Sequence, residues 1–128
     1  MGKGYLIDSN IVVGYLDNKI PEKGMSFMHD LVDEVPNISV ITKIEVLRFN
    51  APEKAYKILI DFTDIASIYE MDEEVVDITI KLCKSSKIKL PDAIIAATAL
   101  ANNLTLVTRN TSDFKNIDGI NLINPFEL

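Results

Sequence analysis

Short apolar runs alternate with amphipathic segments along all 128 residues of the chain. Short runs rich in branched and aromatic residues predict buried strands, whereas apolar residues that recur at helical spacing predict helices. We predict strands at residues 4–7, 38–41, 66–71, 104–107 and 121–123. We predict helices at residues 9–16, 22–34, 52–62, 72–86 and 92–101, with a further helix capped by Thr42. Strands separated by helices predict one domain, residues 1–128, with an α/β fold: a three-layer α/β/α sandwich around a central, mainly parallel sheet.

The chain is acidic, with 19 acidic and 13 basic side chains and a formal net charge of −6. This balance argues against a protein that holds nucleic acid through a broad basic surface. It leaves open a protein that holds a phosphate group through bound metal, since two divalent ions would balance four carboxylates. A basic partner protein would also fit an acidic chain.

Three features of the sequence predict a cytoplasmic protein that does not enter a membrane. No apolar run reaches the ~18 residues that a membrane-spanning helix needs. A strand-like segment begins at Gly4, so we do not expect a signal peptide at the start. The single cysteine, Cys83, cannot form a disulfide within the chain, which favours a reducing compartment. We expect Cys83 to pack on the apolar face of its helix.

Four acidic residues lie where predicted strands end and predicted helices begin. They are Asp8, Glu45, Asp92 and Asp113. In parallel α/β folds, functional sites form outside the carboxyl ends of the strands, so one pocket could collect all four. Two like charges about 5 Å apart repel by roughly 3 kcal/mol at an effective dielectric constant of 20. A divalent metal ion is the usual reason for a chain to gather such charges.

Each acid also has a purely structural explanation. Asp8 could cap the first helix, and Glu45 stands at capping-box spacing from Thr42. Asp92 follows Pro91 in the first turn of a helix, where a negative charge favours the helix dipole. Asp113 lies just after the polar turn that follows a strand, where turn chemistry favours aspartate. Taken one at a time, the acids leave both explanations open.

Four segments in this order resemble the PIN domain, and most of all its small VapC-type toxin branch. They are residues 6–10 (Leu-Ile-Asp-Ser-Asn), 41–45 (Ile-Thr-Lys-Ile-Glu), 91–99 (Pro-Asp-Ala-Ile-Ile-Ala-Ala-Thr-Ala) and 106–114 (Leu-Val-Thr-Arg-Asn-Thr-Ser-Asp-Phe). The resemblance covers nearly the whole chain. Ser9 departs mildly from the pattern, because the family more commonly has threonine there.

The resemblance implies a metal-dependent endoribonuclease, the toxin of a type II toxin–antitoxin pair. It implies a catalytic site for Mg²⁺ or Mn²⁺ at Asp8, Glu45, Asp92 and Asp113. It also implies a homodimer and a cognate antitoxin as partners, with RNA as the substrate. Polar residues expected to line the site and bind the substrate are Asn10, Thr108, Arg109 and Asn110. The fourth metal position could be Asn110 or Asp113, and we favour Asp113 because the Asp-Phe pair is the family feature.

Two other functions remain open at this point. The first is a Mg²⁺-dependent phosphotransfer domain in which Asp8 is the phosphoacceptor. Such chemistry does not require the remote Asp92 and Asp113. The second is a PIN-like module that binds without catalysing a reaction.

A basic stretch before Pro91 could guide RNA, although a solvated helix end is the simpler explanation. It consists of Lys81, Lys84, Lys87 and Lys89. We expect Phe49 to pack in the core and His29 to have no metal-binding role.

Overall fold

Five short strands form one sheet in which every neighbouring pair is parallel. The computed structural model describes residues 4–128. The expectation about a signal peptide partly concerns residues 1–3, which lie outside this range. The strands, in chain order, are β1 (Tyr5–Ile7), β2 (Asn37–Ser39), β3 (Ser67–Tyr69), β4 (Thr105–Val107) and β5 (Leu122–Ile123). Their order in the sheet is β3-β2-β1-β4-β5, so β1 lies at the centre between β2 and β4.

Helices connect the strands and cover the sheet. They are α1 (Ser9–Leu16), α2 (Glu22–Glu34), α3 (Val40–Leu47), α4 (Glu53–Ile65), α5 (Glu73–Ser85), α6 (Leu90–Ala101) and α7 (Thr111–Phe114). A short 3-10 helix, Pro125–Glu127, follows β5. These elements confirm the predicted α/β fold with helices around a parallel sheet. No helix within residues 4–128 is long and apolar enough to cross a membrane.

The two faces of the sheet carry separate hydrophobic cores. Adjacent residues of a strand point to opposite faces. Leu6 therefore belongs to the core formed with α6, whereas Ile7 belongs to the core formed with α1 and α2. Both side chains are almost completely buried. Helix α6 is buried along most of its length, because its small residues allow close packing. The central strand is thus held from both sides, and its carboxyl end is a rigid base for a site.

The boundary between β2 and α3 differs from the prediction. The strand ends at Ser39, and α3 begins at Val40 rather than after Thr42. Ser39 is the N-cap, and its Oγ accepts a hydrogen bond from the backbone N–H of Thr42 at 3.2 Å. The branched residues Val40 and Ile41 favour strands on average, which explains the misplaced boundary. The predicted capping box of Thr42 and Glu45 is therefore wrong, and the Glu45 side chain is free for another contact.

Two residues expected in the core are exposed instead. Cys83 was expected on the apolar face of α5, but that face holds Val75 and Thr79, and Cys83 faces solvent. Cys83 follows Leu82 by one residue, which turns its side chain by about 100° around the helix. Phe49 lies just beyond the end of α3 and is 53% exposed.

Candidate functional site

Asp8 lies at the carboxyl end of the central strand and is fixed by hydrogen bonds to both of its carboxylate oxygens. It is the N-cap of α1, and its Oδ1 accepts a hydrogen bond from the backbone N–H of Ser9 at 2.8 Å. Its Oδ2 accepts a hydrogen bond from Thr108 Oγ1, also at 2.8 Å. Ile7 pairs with Val107 in the sheet, so the residues that follow them are adjacent. The sheet register therefore joins two side chains that are 100 positions apart.

Burial dominates the electrostatics of Asp8, which is only 5% exposed. Burial raises the pKa of its carboxyl group above the usual 3.8. The hydrogen bonds from Thr108 and Ser9 lower that pKa, while the negative charges of Asp92 and Glu45 raise it further. The ionised form of Asp8 is thus destabilised by its surroundings, and a cation nearby would favour it.

Glu45 reaches the same region from the middle of α3. Its Oε1 accepts a hydrogen bond from Ser9 Oγ at 2.6 Å. Because Ser9 also donates its backbone N–H to Asp8, one residue links the two carboxylates. The sequence marked Ser9 only as a departure from the family pattern. The structure shows that a hydroxyl group at this position holds Glu45 in place.

Asp92 lies in the first turn of α6 and is partly buried. Burial raises the pKa of its carboxyl group, the charges of Asp113 and Glu45 raise it further, and the charge of Lys89 lowers it. A pocket of about 250 Å³ is lined by Asp8, Glu45 and Asp92 together. We call this the acidic pocket. Three carboxylates from three separate helix regions therefore face one space.

Asp113 does not line the acidic pocket. It is exposed on α7 and lines an adjoining cavity of about 120 Å³ together with Asp92, Lys87 and Lys89. Asn110 lines the acidic pocket itself. The structure thus places the amide of Asn110 beside the three acids, and Asp113 acts on Asp92 from the neighbouring cavity.

The other expected polar residues have different surroundings. Asn10 is exposed and lines the acidic pocket. Thr108 is fully buried, and its hydroxyl group donates to Asp8 and accepts from the backbone N–H of Asn110. Arg109 is exposed, and its guanidinium group packs 4.1 Å from the centre of the Phe126 ring. The structure therefore gives Thr108 a positioning role, and it places Arg109 outside the residues that line the acidic pocket.

Sequence reasoning missed Arg48, which lines the acidic pocket together with Phe49 and Val13. Arg48 is the C-cap of α3, three residues after Glu45. Residues three apart lie on the same side of a helix, and this spacing was the available signal. The only salt bridge within residues 4–128 joins Lys57 to Asp61, so Arg48 is not paired with any of the acids.

The donor atoms of the acidic pocket suit a hard divalent cation. They are carboxylate oxygens with an amide nearby, and neither histidine nor cysteine lines the pocket. Hard cations such as Mg²⁺ prefer oxygen ligands of this kind. As the side chains stand, no three acidic, histidine or cysteine side chains in residues 4–128 are grouped to ligate one ion. In this arrangement a Mg²⁺ or Mn²⁺ ion would keep water molecules between itself and some of the carboxylates.

Comparisons with known proteins agree with the fold and with the predicted resemblance. The family model described as PIN domain matches residues 5–120. No curated protein sequence gives a match. Among solved structures, a toxin–antitoxin complex from Klebsiella pneumoniae is 28% identical, with a TM-score of 0.75, and the match covers 98% of this chain and 100% of that chain. The structure of FitAcB from Neisseria gonorrhoeae is 26% identical, with a TM-score of 0.78 and coverage of 97% and 99%.

A third similar structure is VapBC2 from Rickettsia felis bound to a DNA fragment from their promoter. It is 25% identical, with a TM-score of 0.77, and the match covers 94% of this chain and 97% of that chain. Each similarity spans nearly the full length of both chains. Together with the family match, the parallel sheet and the acids at its carboxyl edge, these similarities show that the chain belongs to the PIN domain family.

Proposed function

We propose that this PIN domain is the toxin of a type II toxin–antitoxin pair and hydrolyses RNA phosphodiester bonds with Mg²⁺ or Mn²⁺. One observation carries the proposal: three carboxylates from separate elements line one pocket, where burial and neighbouring negative charges raise the pKa values of Asp8 and Asp92. The similar structure from Klebsiella pneumoniae, which is a toxin–antitoxin complex, supports the assignment to a toxin. We also propose that this protein acts in the cytoplasm, because a single cysteine favours a reducing compartment.

The carboxylates divide the work of holding the ion. Asp8 is the fixed ligand, because two hydrogen bonds set the orientation of its carboxylate. Glu45 and Asp92 complete the set, with Asp113 or Asn110 at the fourth position. When bound, a divalent ion would polarise the scissile phosphate and lower the pKa of an attacking water molecule. No histidine is needed as general base in this scheme.

Side chains around the acidic pocket provide contacts for the RNA. Arg48 is at the pocket and has no salt-bridge partner among residues 4–128, so its guanidinium group is available to a phosphate. Asn10 and Asn110 line the same pocket and offer amide groups to sugar or phosphate oxygens. Net negative charge on the protein agrees with substrate contact confined to this small region rather than to a broad basic face.

We also propose a cognate antitoxin and a second copy of this chain as partners. An apolar groove of about 320 Å³ lies beside the acidic pocket and shares Val13 and Phe49 with it. Ile58 also lines this groove and is 51% exposed. An antitoxin with an apolar segment in the groove and a basic side chain over the acids would block the site. Co-purification with the product of the neighbouring gene tests the antitoxin, and sedimentation tests the homodimer.

RNA cleavage by the purified protein tests the proposed activity. We expect cleavage with Mn²⁺ or Mg²⁺, no cleavage with EDTA, and at least a hundredfold loss in Asp8→Asn. Asp64→Asn on α4 is the matched control, because Asp64 is exposed and lines none of the cavities described. Cleavage that persists at the original rate in Asp8→Asn, or in EDTA, would overturn the proposal.

A phosphotransfer function has less support than RNA hydrolysis. Phosphotransfer would need Asp8 as the phosphoacceptor but not Asp92, which lines the same pocket, and the chain matches the PIN domain family model. A stable acyl phosphate on Asp8 after treatment with a phosphodonor would favour phosphotransfer. The cleavage assay also distinguishes a catalyst from a module that only binds RNA, because a binding module would not cleave RNA under any of these conditions.

A further inference from the structure

A second cleft lies beside the acidic site, between the end of α5, the loop before α6 and the segment after α7. We call it the side cleft, and its volume is about 490 Å³. That volume is within the range of pockets that hold small organic ligands. Its apolar lining residues are Leu82, Ile88 and Ile117. Its uncharged polar lining comprises Ser85, Ser86 and Asn116, and its charged lining comprises Lys87, Asp113 and Asp118.

The side cleft is continuous with the acidic site through shared residues. Lys87, Ile88 and Asp113 line both the side cleft and the small adjoining cavity that also holds Asp92. Asp92 in turn lines the acidic pocket. The side cleft and the acidic pocket are therefore neighbours, joined through the small cavity that shares residues with both.

The chemistry of the side cleft suits a nucleotide. Leu82, Ile88 and Ile117 are partly buried and pack against the core beneath α6, so they form a firm apolar floor. A base has two apolar faces that such a floor can contact. Lys87 and Lys89 are not in salt bridges in the described part of the chain, although Asp113 is close by. Their ammonium groups are available to a phosphate.

Other cavities of the molecule lack this combination. Among residues 4–128, the cavity at the amino-terminal ends of β1 and β2 is lined by Asp30 and Glu34 and by no lysine or arginine that could bind a phosphate. The apolar groove that includes Phe49 and Ile58 also has no cation in its lining. Lys81 and Lys84 are exposed on α5 and line none of these cavities, which agrees with a solvated helix surface.

We propose that the side cleft binds one nucleotide of the RNA substrate next to the scissile bond. Lys87 contacts its phosphate, and Ile88 and Ile117 contact its base. The inference rests on the proposed function, because it assumes that the polymer at the acidic pocket is RNA. It goes further by assigning a substrate subsite to residues that no catalytic role requires.

Equilibrium binding of a fluorescein-labelled RNA dodecamer of random sequence tests the subsite, with Ca²⁺ in place of Mg²⁺ so that the acids remain neutralised, and with gels that confirm intact RNA after each titration. We expect Lys87→Gln to raise Kd at least fivefold. We also expect the slope of log Kd against log salt concentration to fall by about 0.7, the value for one phosphate contact on a single strand. Ser86→Trp, which fills the cleft from its rim, should raise Kd as well. Lys84→Gln is the matched control and should leave both Kd and the slope unchanged.

Photo-crosslinking with the same RNA containing 4-thiouridine locates the contact independently. Crosslinks to peptides that contain Ile88 or Ile117 are expected.

If wild type cleaves RNA in an Asp8-dependent manner while Lys87→Gln and Ser86→Trp bind RNA as wild type does, the subsite is wrong and the proposed function stands. If wild type neither binds nor cleaves RNA, both fail. If these two variants weaken only the binding of a co-expressed antitoxin, the cleft is a protein-binding surface and the subsite is refuted.

Discussion

Thr108→Val removes one hydroxyl group from the centre of the molecule and changes little else in size. In the wild type, Thr108 Oγ1 donates to Asp8 Oδ2 at 2.8 Å, and the exposed fractions of the two residues are 0% and 5%. The substitution leaves a buried carboxylate with one hydrogen-bond donor fewer, and water has little access to replace it. It also removes the acceptor for the backbone N–H of Asn110, but Asn110 is exposed and water can replace that contact. Leaving such a group without its partner is the main cost of the substitution.

The expected loss of stability follows from that contact. A hydrogen bond to a charged group contributes about 1.5–3 kcal/mol, so we expect the free energy of unfolding at pH 7 to fall by about 2 kcal/mol. For a chain of 128 residues, this corresponds to a melting temperature about 7 °C lower. The matched control is Thr98→Val on α6. Thr98 is 1% exposed, and its hydroxyl group donates to the neutral carbonyl group of Ile94 at 2.7 Å.

The pH dependence separates the charged contact from simple packing. The folded-state pKa of Asp8 is raised above 3.8, so the protein binds more protons folded than unfolded between 3.8 and that raised pKa. Stability therefore falls as pH rises through this window. The Thr108 bond lowers the pKa of Asp8, and its loss raises that pKa further. The difference between wild type and Thr108→Val should thus be full above the raised pKa values and shrink as pH falls towards 3.8.

Urea denaturation in EDTA, measured at several pH values, gives the free energies of unfolding directly. A stability difference that does not change with pH, or one equal to that of Thr98→Val, would refute the claim that Thr108 stabilises ionised Asp8. The same variant should lose the proposed metal-dependent cleavage, because the carboxylate proposed to hold the ion is no longer oriented.

Three further predictions concern the acids and the ion. Asp92→Asn should slightly increase the metal-free stability at pH 7, because burial and the charges of Asp113 and Glu45 raise the pKa of its carboxyl group and so destabilise the ionised form. Solvent screening and the lost contribution to the helix dipole keep the gain below about 1 kcal/mol. Urea denaturation in EDTA checks this, and a clear loss of stability would contradict it. Ser9→Ala should reduce cleavage more than tenfold, because it releases the Glu45 side chain. It should lower the free energy of unfolding by only about 1 kcal/mol. If activity falls only in proportion to the amount of soluble, folded protein, Ser9 has no positioning role. Millimolar Mn²⁺ should raise the melting temperature of wild type and of Asp64→Asn by several degrees, because the ion binds only the folded site. It should not raise the melting temperature of Asp8→Asn. Identical melting curves for wild type with Mn²⁺ and with EDTA would show that the acids do not hold an ion.

The sequence predicted an element correctly where composition and capping residues indicated the same structure. Helix α6 was expected from its run of small residues, and the structure buries every residue from Ala93 to Ala99. The first helix was predicted with the bounds that the structure has, because Asp8 is a strong N-cap. The prediction failed at Ser39–Thr42, where branched residues with strand propensity open a helix. Propensity averages over many contexts, and here the cap and the packing of α3 decide the boundary.

The sequence by itself determined the alternation of strands and helices, and it identified the acids as a set through their order and their neighbouring residues. Only the tertiary structure decided which side chains meet. Thr108 holds Asp8 because β4 pairs with β1, and Ser9 holds Glu45 because α3 packs against α1. The tertiary structure also placed Asn110 in the acidic pocket and Asp113 in the cavity beside it. The physical reason is that periodicity is a local property of the chain, whereas strand pairing and side-chain contacts depend on residues far apart in sequence.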